Sequence, residues 1–181
     1  DLTKGKLIGD RYRIPTPQPA TPEAVAGVVG QIVAELSSRP EGPGTDVPVG
    51  VTFPAIIQHG IARSAANVDK SWVDTDVDGL LTNALNREVQ VMNDADAAGL
   101  AEARYGAGRG VDGTVLVITL GTGIGSALIS NGKLVPNAEL GHLEIYGVDA
   151  ETRASASARE RDNISWEEYA QRLQRYFSHV E

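Results

Sequence analysis

The chain has 181 residues, which is enough for one well-formed core or two small lobes. Its net charge is −8 and no segment is strongly basic, which argues against a general nucleic-acid surface built from clustered Lys and Arg. No apolar run approaches the roughly 18–20 residues of a membrane span. The absence of cysteine excludes disulfides, cysteine-ligated zinc and cysteine nucleophiles. We therefore expect a folded chain that binds neither nucleic acid nor membrane, and the lack of cysteine fits a cytoplasmic protein.

The sequence at both ends of the chain suggests a fragment of a longer protein. The sequence starts at Asp1 rather than Met and goes almost at once into a strand-like alternation. The last amphipathic helix runs to Glu181 without a Gly or Asn stop signal. We therefore expect a fragment, truncated at both ends.

The first half of the chain predicts helices mixed with strands. Thr21 followed by Pro22 marks a helix start, because Ser and Thr cap helices and Pro is favoured at the first helical position. The predicted helices are Pro22–Ser38, Asp76–Asn86 and Asp94–Tyr105, the predicted strands are Lys6–Ile14, Val47–Phe53 and Val89–Met92, and a hairpin is predicted over Ala55–Arg63.

The second half predicts an antiparallel sheet followed by a long helix. Strands over Val115–Leu120 and Ser126–Ser130 flank a glycine turn, and Asn131-Gly132 is a hairpin signal leading into Lys133–Val135. Ser165 with Glu168 forms a capping box that opens the last helix, whose aromatic stripe is expected to be core. The whole order predicts a mixed α/β chain with two lobes, residues 1–109 and 110–181.

Asn93 and Asp94 stand where a buried strand becomes a helix. In open α/β sheets, ligands bind at the carboxyl ends of the strands. The Asp94 carboxylate could accept a proton from a sugar hydroxyl while Asn93 holds a neighbouring hydroxyl. Either residue could instead merely cap the helix that follows, and this segment alone favours the cap.

The glycine-rich segment Gly121–Gly125 is the second candidate. A dinucleotide-binding fingerprint needs a helix after its glycines, but Ser126–Ile129 has the pattern of a strand. A hairpin turn whose N–H groups bind phosphate fits better. A glycine turn without any ligand is equally compatible with this segment.

Glu139, His142 and Glu144 form the third candidate, because side chains of these types can hydrogen-bond sugar hydroxyls in pairs. A metal site is disfavoured, since the other two histidines, His59 and His179, stand apart without ligand-like spacing. A polar surface loop is the alternative explanation.

The segment around Asn67 and Lys70 is the fourth candidate. Asn67 could lie over a sugar with Lys70 near a phosphate. The favoured alternative is a polar loop anchored to the core by Trp72.

Taken together, these motifs resemble the ROK family of sugar kinases in order and spacing. The segments that carry the resemblance are Asn93-Asp94-Ala95-Asp96, Leu120-Gly121-Thr122-Gly123-Ile124-Gly125 and Glu139-Leu140-Gly141-His142. The loop 16–22, the segment 66–72 and the cysteine-free stretch after His142 are similar to the polyphosphate glucokinase branch, which includes polyphosphate/ATP-glucomannokinases. The resemblance covers essentially the whole chain and implies the two-lobed actin-like ATPase fold, which is ribonuclease-H-like.

The resemblance also implies roles for most of the candidate residues. Asp94 matches the catalytic base that takes the proton of the sugar 6-hydroxyl. Residues matching sugar-hydroxyl ligands are Asn93, Glu139 and His142, with Glu144 a looser match and Asn67 a further candidate. Gly121, Thr122 and Gly123 match the second phosphate-binding turn of the family. Lys70 is a phosphate candidate from its own segment alone, as described above.

The expected reaction partners follow from the same resemblance. The acceptor is glucose or mannose, and the donor is polyphosphate, ATP or both. Mg²⁺ would bridge the donor phosphates, mostly through water and phosphate oxygens and with few protein ligands. A cytoplasmic homodimer is expected.

Three family features have no counterpart in the sequence. These are an Asp-x-Gly-Gly-Thr phosphate hairpin before Asp1, the elements that close the second lobe after Glu181, and a Cys-rich zinc motif. Two other hypotheses therefore stay open beside the kinase: a sugar-sensing regulator of the same family, and a non-catalytic binding module. The sequence does not decide whether the donor is polyphosphate or ATP, or whether the acceptor is glucose or mannose. It also does not decide whether the partial chain folds or is active.

Overall fold

The computed structural model describes residues 1–65 and 68–181, whose contacts separate into two compact units. Unit 1 comprises Asp1–Asp94 and unit 2 comprises Ala95–Glu181. Helices and strands are mixed in both units, which confirms the predicted α/β class. The lobes proposed from the sequence, residues 1–109 and 110–181, stay a prediction.

Unit 1 contains two parallel strands with helices before and between them. Strands β1 (Val49–Phe53) and β4 (Val89–Asn93) pair in register from Val49 opposite Val89 to Phe53 opposite Asn93. The elements are α1 (Pro22–Ser38), β1 (Val49–Phe53), β2 (Ile57–Gln58), β3 (Ile61–Ala62), a 3₁₀ turn (Lys70–Trp72), α2 (Val77–Leu85) and β4 (Val89–Asn93).

The ends of these helices follow local sequence signals. The Thr21 hydroxyl accepts a hydrogen bond from the Ala24 N–H at 3.3 Å, so α1 begins at Pro22 as predicted. The Asp76 carboxylate accepts from the Gly79 N–H at 2.9 Å at the start of α2. Asn86, in the left-handed conformation, ends that helix.

Trp72 anchors the core of unit 1. Its side chain is fully buried, and its ring centroid lies 4.5 Å from that of Phe53. The indole Nε1–H donates to the Ala20 carbonyl at 2.8 Å, which satisfies the one polar group of the ring. The predicted role of Trp72 as a core anchor is therefore confirmed.

Unit 2 is built on an antiparallel three-stranded sheet, in the order β5 (Thr114–Leu120), β6 (Ile124–Ser130) and β7 (Lys133–Val135). The β6–β7 turn has Asn131 and Gly132 at positive φ, the conformation that the predicted Asn-Gly hairpin requires. The elements are α3 (Asp94–Tyr105), β5 (Thr114–Leu120), β6 (Ile124–Ser130), β7 (Lys133–Val135), a 3₁₀ turn (Leu140–His142), β8 (Glu144–Ile145), β9 (Val148–Asp149), α4 (Glu151–Ala154), α5 (Ala156–Asp162) and α6 (Trp166–Val180).

Two sequence-based expectations were wrong. The segment 6–14 forms no strand, because no described strand pairs with it, and its Leu7 and Ile8 are exposed. The aromatic stripe of α6 is only partly core: Tyr169 and Tyr176 are buried, but Trp166 is 67% exposed. The short helices α4 and α5 were not predicted.

None of the helices in the described ranges combines the length and apolar character that crossing a bilayer requires.

Candidate active site

The junction of β4 and α3 carries the predicted base. Strand β4 ends at Asn93, one residue beyond the predicted Met92, and helix α3 begins at Asp94 as predicted. Asn93 is 8% exposed, and its Nδ2–H donates to the Ala55 carbonyl at 3.0 Å, which fixes the strand end to the loop after β1. Asp94 is exposed, so its carboxylate is accessible from solvent.

A second aspartate of the same motif is buried and holds a loop of unit 2. Asp96 is 3% exposed, and its Oδ2 accepts a hydrogen bond from the Asn137 N–H at 3.0 Å. Burial raises the pKa of Asp96, because a low-dielectric surrounding disfavours the charged carboxylate. Beyond the loop, the Leu140 N–H donates to the Ser126 hydroxyl at 2.8 Å. The segment that carries Glu139 is therefore fixed on both sides.

Glu139 itself adopts an unusual backbone conformation. Its φ of 44° and ψ of 38° lie in the left-handed region, which is sparsely populated by residues other than Gly, Asn and Asp. Asn137, two residues earlier, also has a positive φ of 55°. These two turns point the chain into the 3₁₀ turn that ends at His142.

Three carboxylates surround the imidazole of His142. Its Nδ1–H donates to Asp149 Oδ2 at 3.0 Å, and the same nitrogen lies 4.0 Å from Glu151 Oε1. On the other side of the ring, Nε2 lies 4.0 Å from Glu139 Oε2. The hydrogen bond to Asp149, with smaller contributions from the charges of Glu151, Asp149 and Glu139, raises the pKa of His142 despite its partial burial. We name this group, Glu139, His142, Asp149 and Glu151, the histidine cluster.

The glycine turn between β5 and β6 is closed by its own backbone and by α5. The Gly121 N–H donates to the Gly123 carbonyl at 3.0 Å. From helix α5, the Ser157 N–H donates to the Gly121 carbonyl at 3.1 Å, and the Ser157 hydroxyl donates to the Thr122 carbonyl. Gly121 and Thr122 are exposed, and no atom lies within 4 Å of where a Cβ of Gly121 would stand.

Glu151 joins this turn to the histidine cluster. Its Oε2 accepts a hydrogen bond from the Ile124 N–H at 3.1 Å, while its Oε1 faces His142. A Cβ on Gly123 would lie 2.3 Å from Glu151 Oε2, so glycine at that position permits the carboxylate to reach the turn. An internal carboxylate therefore occupies a backbone donor of the turn that was predicted to bind phosphate.

The predicted residues are not all brought together. Glu151 contacts the glycine turn with one oxygen and faces His142 with the other, so the turn lies close to His142 and Glu139. Glu144 is exposed on β8, directly opposite Asp149 of β9 in the antiparallel register. Lys70 is exposed at the start of the 3₁₀ turn of unit 1. Asn67 lies outside the described residues.

The sequence reasoning missed Asp149 and Glu151. Gly147, at a φ of 78°, lies in the turn of the β8–β9 hairpin, which folds the chain back. Because β9 runs antiparallel to β8, Asp149 returns towards His142, and Glu151 follows two residues later at the start of α4. A Gly147 turn signal followed by two carboxylates is the pattern that could have indicated them.

The described ranges, 1–65 and 68–181, contain no group of three or more His, Asp or Glu side chains arranged to hold a metal ion.

Comparison with known proteins identifies the family. The family model described as ROK family matches residues 3–157. The chain belongs to the ROK family. The resemblance predicted from the sequence motifs is thereby confirmed.

Three relatives show which ROK proteins are similar. The chain is 47% identical over 182 residues to the polyphosphate glucokinase of Mycobacterium tuberculosis, covering 100% of this chain and 66% of the relative. The crystal structure of inorganic polyphosphate/ATP-glucomannokinase from Arthrobacter sp. strain KM matches with a TM-score of 0.95 and 74% identity, covering 100% of this chain and 72% of that one. A ROK family glucokinase from Streptomyces griseus, in complex with glucose and AMPPNP, matches with a TM-score of 0.74 and 30% identity over 87% of this chain and 53% of that one.

The chain spans about two thirds or less of the length of the curated polyphosphate glucokinases that it matches. The activity of the whole protein is therefore a matter for proposal.

Proposed function

We propose that the protein containing this chain transfers a phosphoryl group from inorganic polyphosphate, ATP or both to the 6-hydroxyl of glucose. The observation that carries the proposal is the Glu151 carboxylate, which touches the glycine turn with one oxygen and faces His142 with the other. A sugar-binding group and an anion-binding turn that share one side chain suit a reaction between a hydroxyl and a phosphate. The names of the similar ROK enzymes support the same reaction.

Asp94 is the proposed general base. It accepts the proton of the sugar 6-hydroxyl as that oxygen attacks the terminal phosphorus of the donor. The bond between this phosphorus and its bridging oxygen breaks, and the shortened polyphosphate or ADP leaves. Two observations support this role. Asp94 is exposed at a strand end. The next residue, Ala95, lies close to Gly125, since a Cβ placed on Gly125 would stand 2.9 Å from the Cβ of Ala95.

The histidine cluster is the proposed sugar-hydroxyl site. The carboxylates of Glu139 and Glu151 can accept hydrogen bonds from hydroxyls, and Nε2 of His142 can donate or accept one. The hydrogen bond from Nδ1–H to Asp149 fixes the orientation of the imidazole, in the way that a carboxylate orients a catalytic histidine. Asn93 remains a proposed hydroxyl ligand, as do Glu144 and Asn67.

The glycine turn is the proposed donor site. Gly121, Thr122 and Gly123 present backbone in a segment without bulky side chains, which suits the close approach of phosphate. Mg²⁺ bound to the donor would neutralise charge on the phosphates, and Lys70 is a candidate for a further phosphate contact.

Four finer features belong to the same proposal and derive from the family resemblance. They are a two-lobed actin-like ATPase fold for the whole protein, mannose as a second acceptor, a homodimer and a cytoplasmic location. Phosphorylation rates with each sugar and sedimentation of the full-length protein would test the second and third.

The decisive experiment measures glucose 6-phosphate formed by the full-length protein with Mg²⁺, glucose and either donor. Product with polyphosphate is expected, and the ratio of rates gives the donor preference. No product with either donor, from protein shown to be folded, would favour a sugar-sensing regulator or a binding module.

Asp94→Asn tests the assigned base, with Asp112→Asn as a matched control at another exposed aspartate. General-base removal lowers turnover by roughly 10²–10⁴-fold, while glucose binding by calorimetry should persist. The control should retain full turnover. Near-normal turnover of Asp94→Asn would refute the assignment.

A further inference from the structure

A cavity of about 440 Å³ lies within unit 2, apart from the histidine cluster. It is open to solvent on one side and is bordered by the β8–β9 hairpin, α4, the end of α5 and one side of α6. Four arginines line it: Arg153, Arg161, Arg172 and Arg175. The sequence shows these residues spread over 23 positions without a basic run, so their convergence is a property of the fold.

Two of the arginines are committed to structure. Arg161 Nε lies 2.8 Å from Asp162 Oδ1, and Arg172 contacts both Asp162 and Glu168. These guanidinium groups hold the pKa of Asp162 at about 2, so it stays ionised. Arg161 and Arg172 also donate to backbone carbonyls at the α4 segment. This network fixes one wall of the cavity.

The other two arginines are uncommitted. Within the part of the chain that the structure describes, no carboxylate pairs with the guanidinium of Arg153 or Arg175, and both residues are exposed. The four arginines outnumber the two acidic lining residues, Asp162 and Glu168, which leaves a net formal charge of +2. In a chain of net charge −8, such a concave cationic site favours an anion locally.

A buried hydroxyl also belongs to this cavity. Tyr176 is among its lining residues and is 1% exposed, and in the described ranges its hydroxyl has no hydrogen-bond partner. A buried polar group without a partner is unfavourable and rare in folded proteins. Burial raises the pKa of Tyr176, so the group remains a protonated donor. A ligand with several acceptor oxygens could satisfy it.

We propose that this cavity binds an oligophosphate segment, namely part of the polyphosphate chain beyond its reacting end. This inference rests on the proposed function. Guanidinium groups match the geometry of phosphate oxygens and can donate to them in pairs. Helix α4 links the two sites, because Glu151 faces the glycine turn while Thr152 and Arg153 line the cavity. A linear polyanion can contact both places, whereas the phosphates of ATP form a much shorter chain.

The test uses full-length protein with Arg153→Gln, Arg175→Gln and the double variant. Arg109→Gln is the matched control, since Arg109 is an exposed arginine of unit 2 outside the cavity. Binding of long-chain sodium polyphosphate is measured by calorimetry without glucose, and KM is measured with long-chain polyphosphate, tripolyphosphate and ATP. The double variant should bind the long chain roughly tenfold more weakly, and added salt should shrink the difference. Its KM values for ATP and tripolyphosphate should stay unchanged.

The outcomes separate this proposal from the proposed function. Unchanged binding and KM for the long chain in the double variant would overturn the cavity site. An equal rise in KM for ATP would also overturn it, because the arginines would then not distinguish a long donor from a short one. An equal loss of polyphosphate affinity in Arg109→Gln would overturn it too, because the effect would then not be specific to this cavity. If wild-type protein forms no product with any donor, the proposed function fails, and the binding titration still decides the cavity.

Discussion

Replacing Gly123 with alanine should break the contact that ties Glu151 to the glycine turn. The new Cβ would stand 2.3 Å from Glu151 Oε2, so the carboxylate must leave the Ile124 N–H that it now accepts from at 3.1 Å. A hydrogen bond to a charged group contributes about 1.5–3 kcal/mol. Alanine returns about 0.4–1 kcal/mol by restricting the unfolded chain, since Gly123 does not have a positive φ. The net loss in the free energy of unfolding is about 0.5–2.5 kcal/mol.

Gly121→Ala is the control within the same turn. No atom lies within 4 Å of its Cβ position and its φ is not positive, so the free energy of unfolding should stay the same or rise slightly. Denaturant unfolding of both full-length variants measures the difference. If the turn binds phosphate, Gly121→Ala should still raise the donor KM, because its methyl group occupies the space that the phosphate needs. Equal stability of the two variants would refute the reasoning about Glu151.

Three further predictions concern the two units separately. Trp72→Ala should lower the free energy of unfolding by about 3–5 kcal/mol, whereas Trp166→Ala, at a 67% exposed position, should cost at most about 1 kcal/mol in denaturant titrations. Asp149→Asn should return the pKa of His142 towards its ordinary value, as measured by NMR titration, and an unchanged pKa would contradict the assignment. In the wild type, the pair of His142 and Asp149 stabilises the fold fully below the ordinary histidine pKa, and this contribution is lost as pH rises through the raised folded pKa. Because burial raises the pKa of Asp96, ionisation of this group lowers the stability of the fold as pH rises from the ordinary aspartate pKa through the folded one. Asp96→Asn should therefore become more stable relative to wild type on going from acidic to neutral pH. Thermal melts at several pH values measure this difference, and the reverse trend would count against the prediction.

The sequence predicted best those features whose causes are local. The start of α1 follows from Thr21 and Pro22, and the start of α6 follows from Ser165, whose hydroxyl accepts from the Glu168 N–H at 3.1 Å. The hairpin turn between β6 and β7 likewise follows from Asn131-Gly132. Each signal acts over three or four residues, so it operates whatever the rest of the chain does.

The misses were features that depend on distant residues. The alternation over 6–14 resembles a strand, but a strand requires a partner that the sequence pattern does not name. In the candidate site, Glu139 and His142 were found because they lie three residues apart in one motif. Asp149 and Glu151 reach His142 only through the β8–β9 hairpin, and that hairpin has just two residues in each strand. The four arginines of the cavity likewise lie apart in the sequence and converge only in the fold.

The left-handed backbone of Glu139 has a consequence for protein engineering. Glycine or asparagine would adopt this conformation at lower cost, by about 1 kcal/mol, so the residue best for folding is not the one present. A stabilisation campaign that replaces left-handed residues with glycine would select this position and remove a carboxylate that faces His142. Under the proposed function, thermostability and sugar affinity should therefore move in opposite directions at residue 139, which makes it a position to retain when the protein is stabilised against heat.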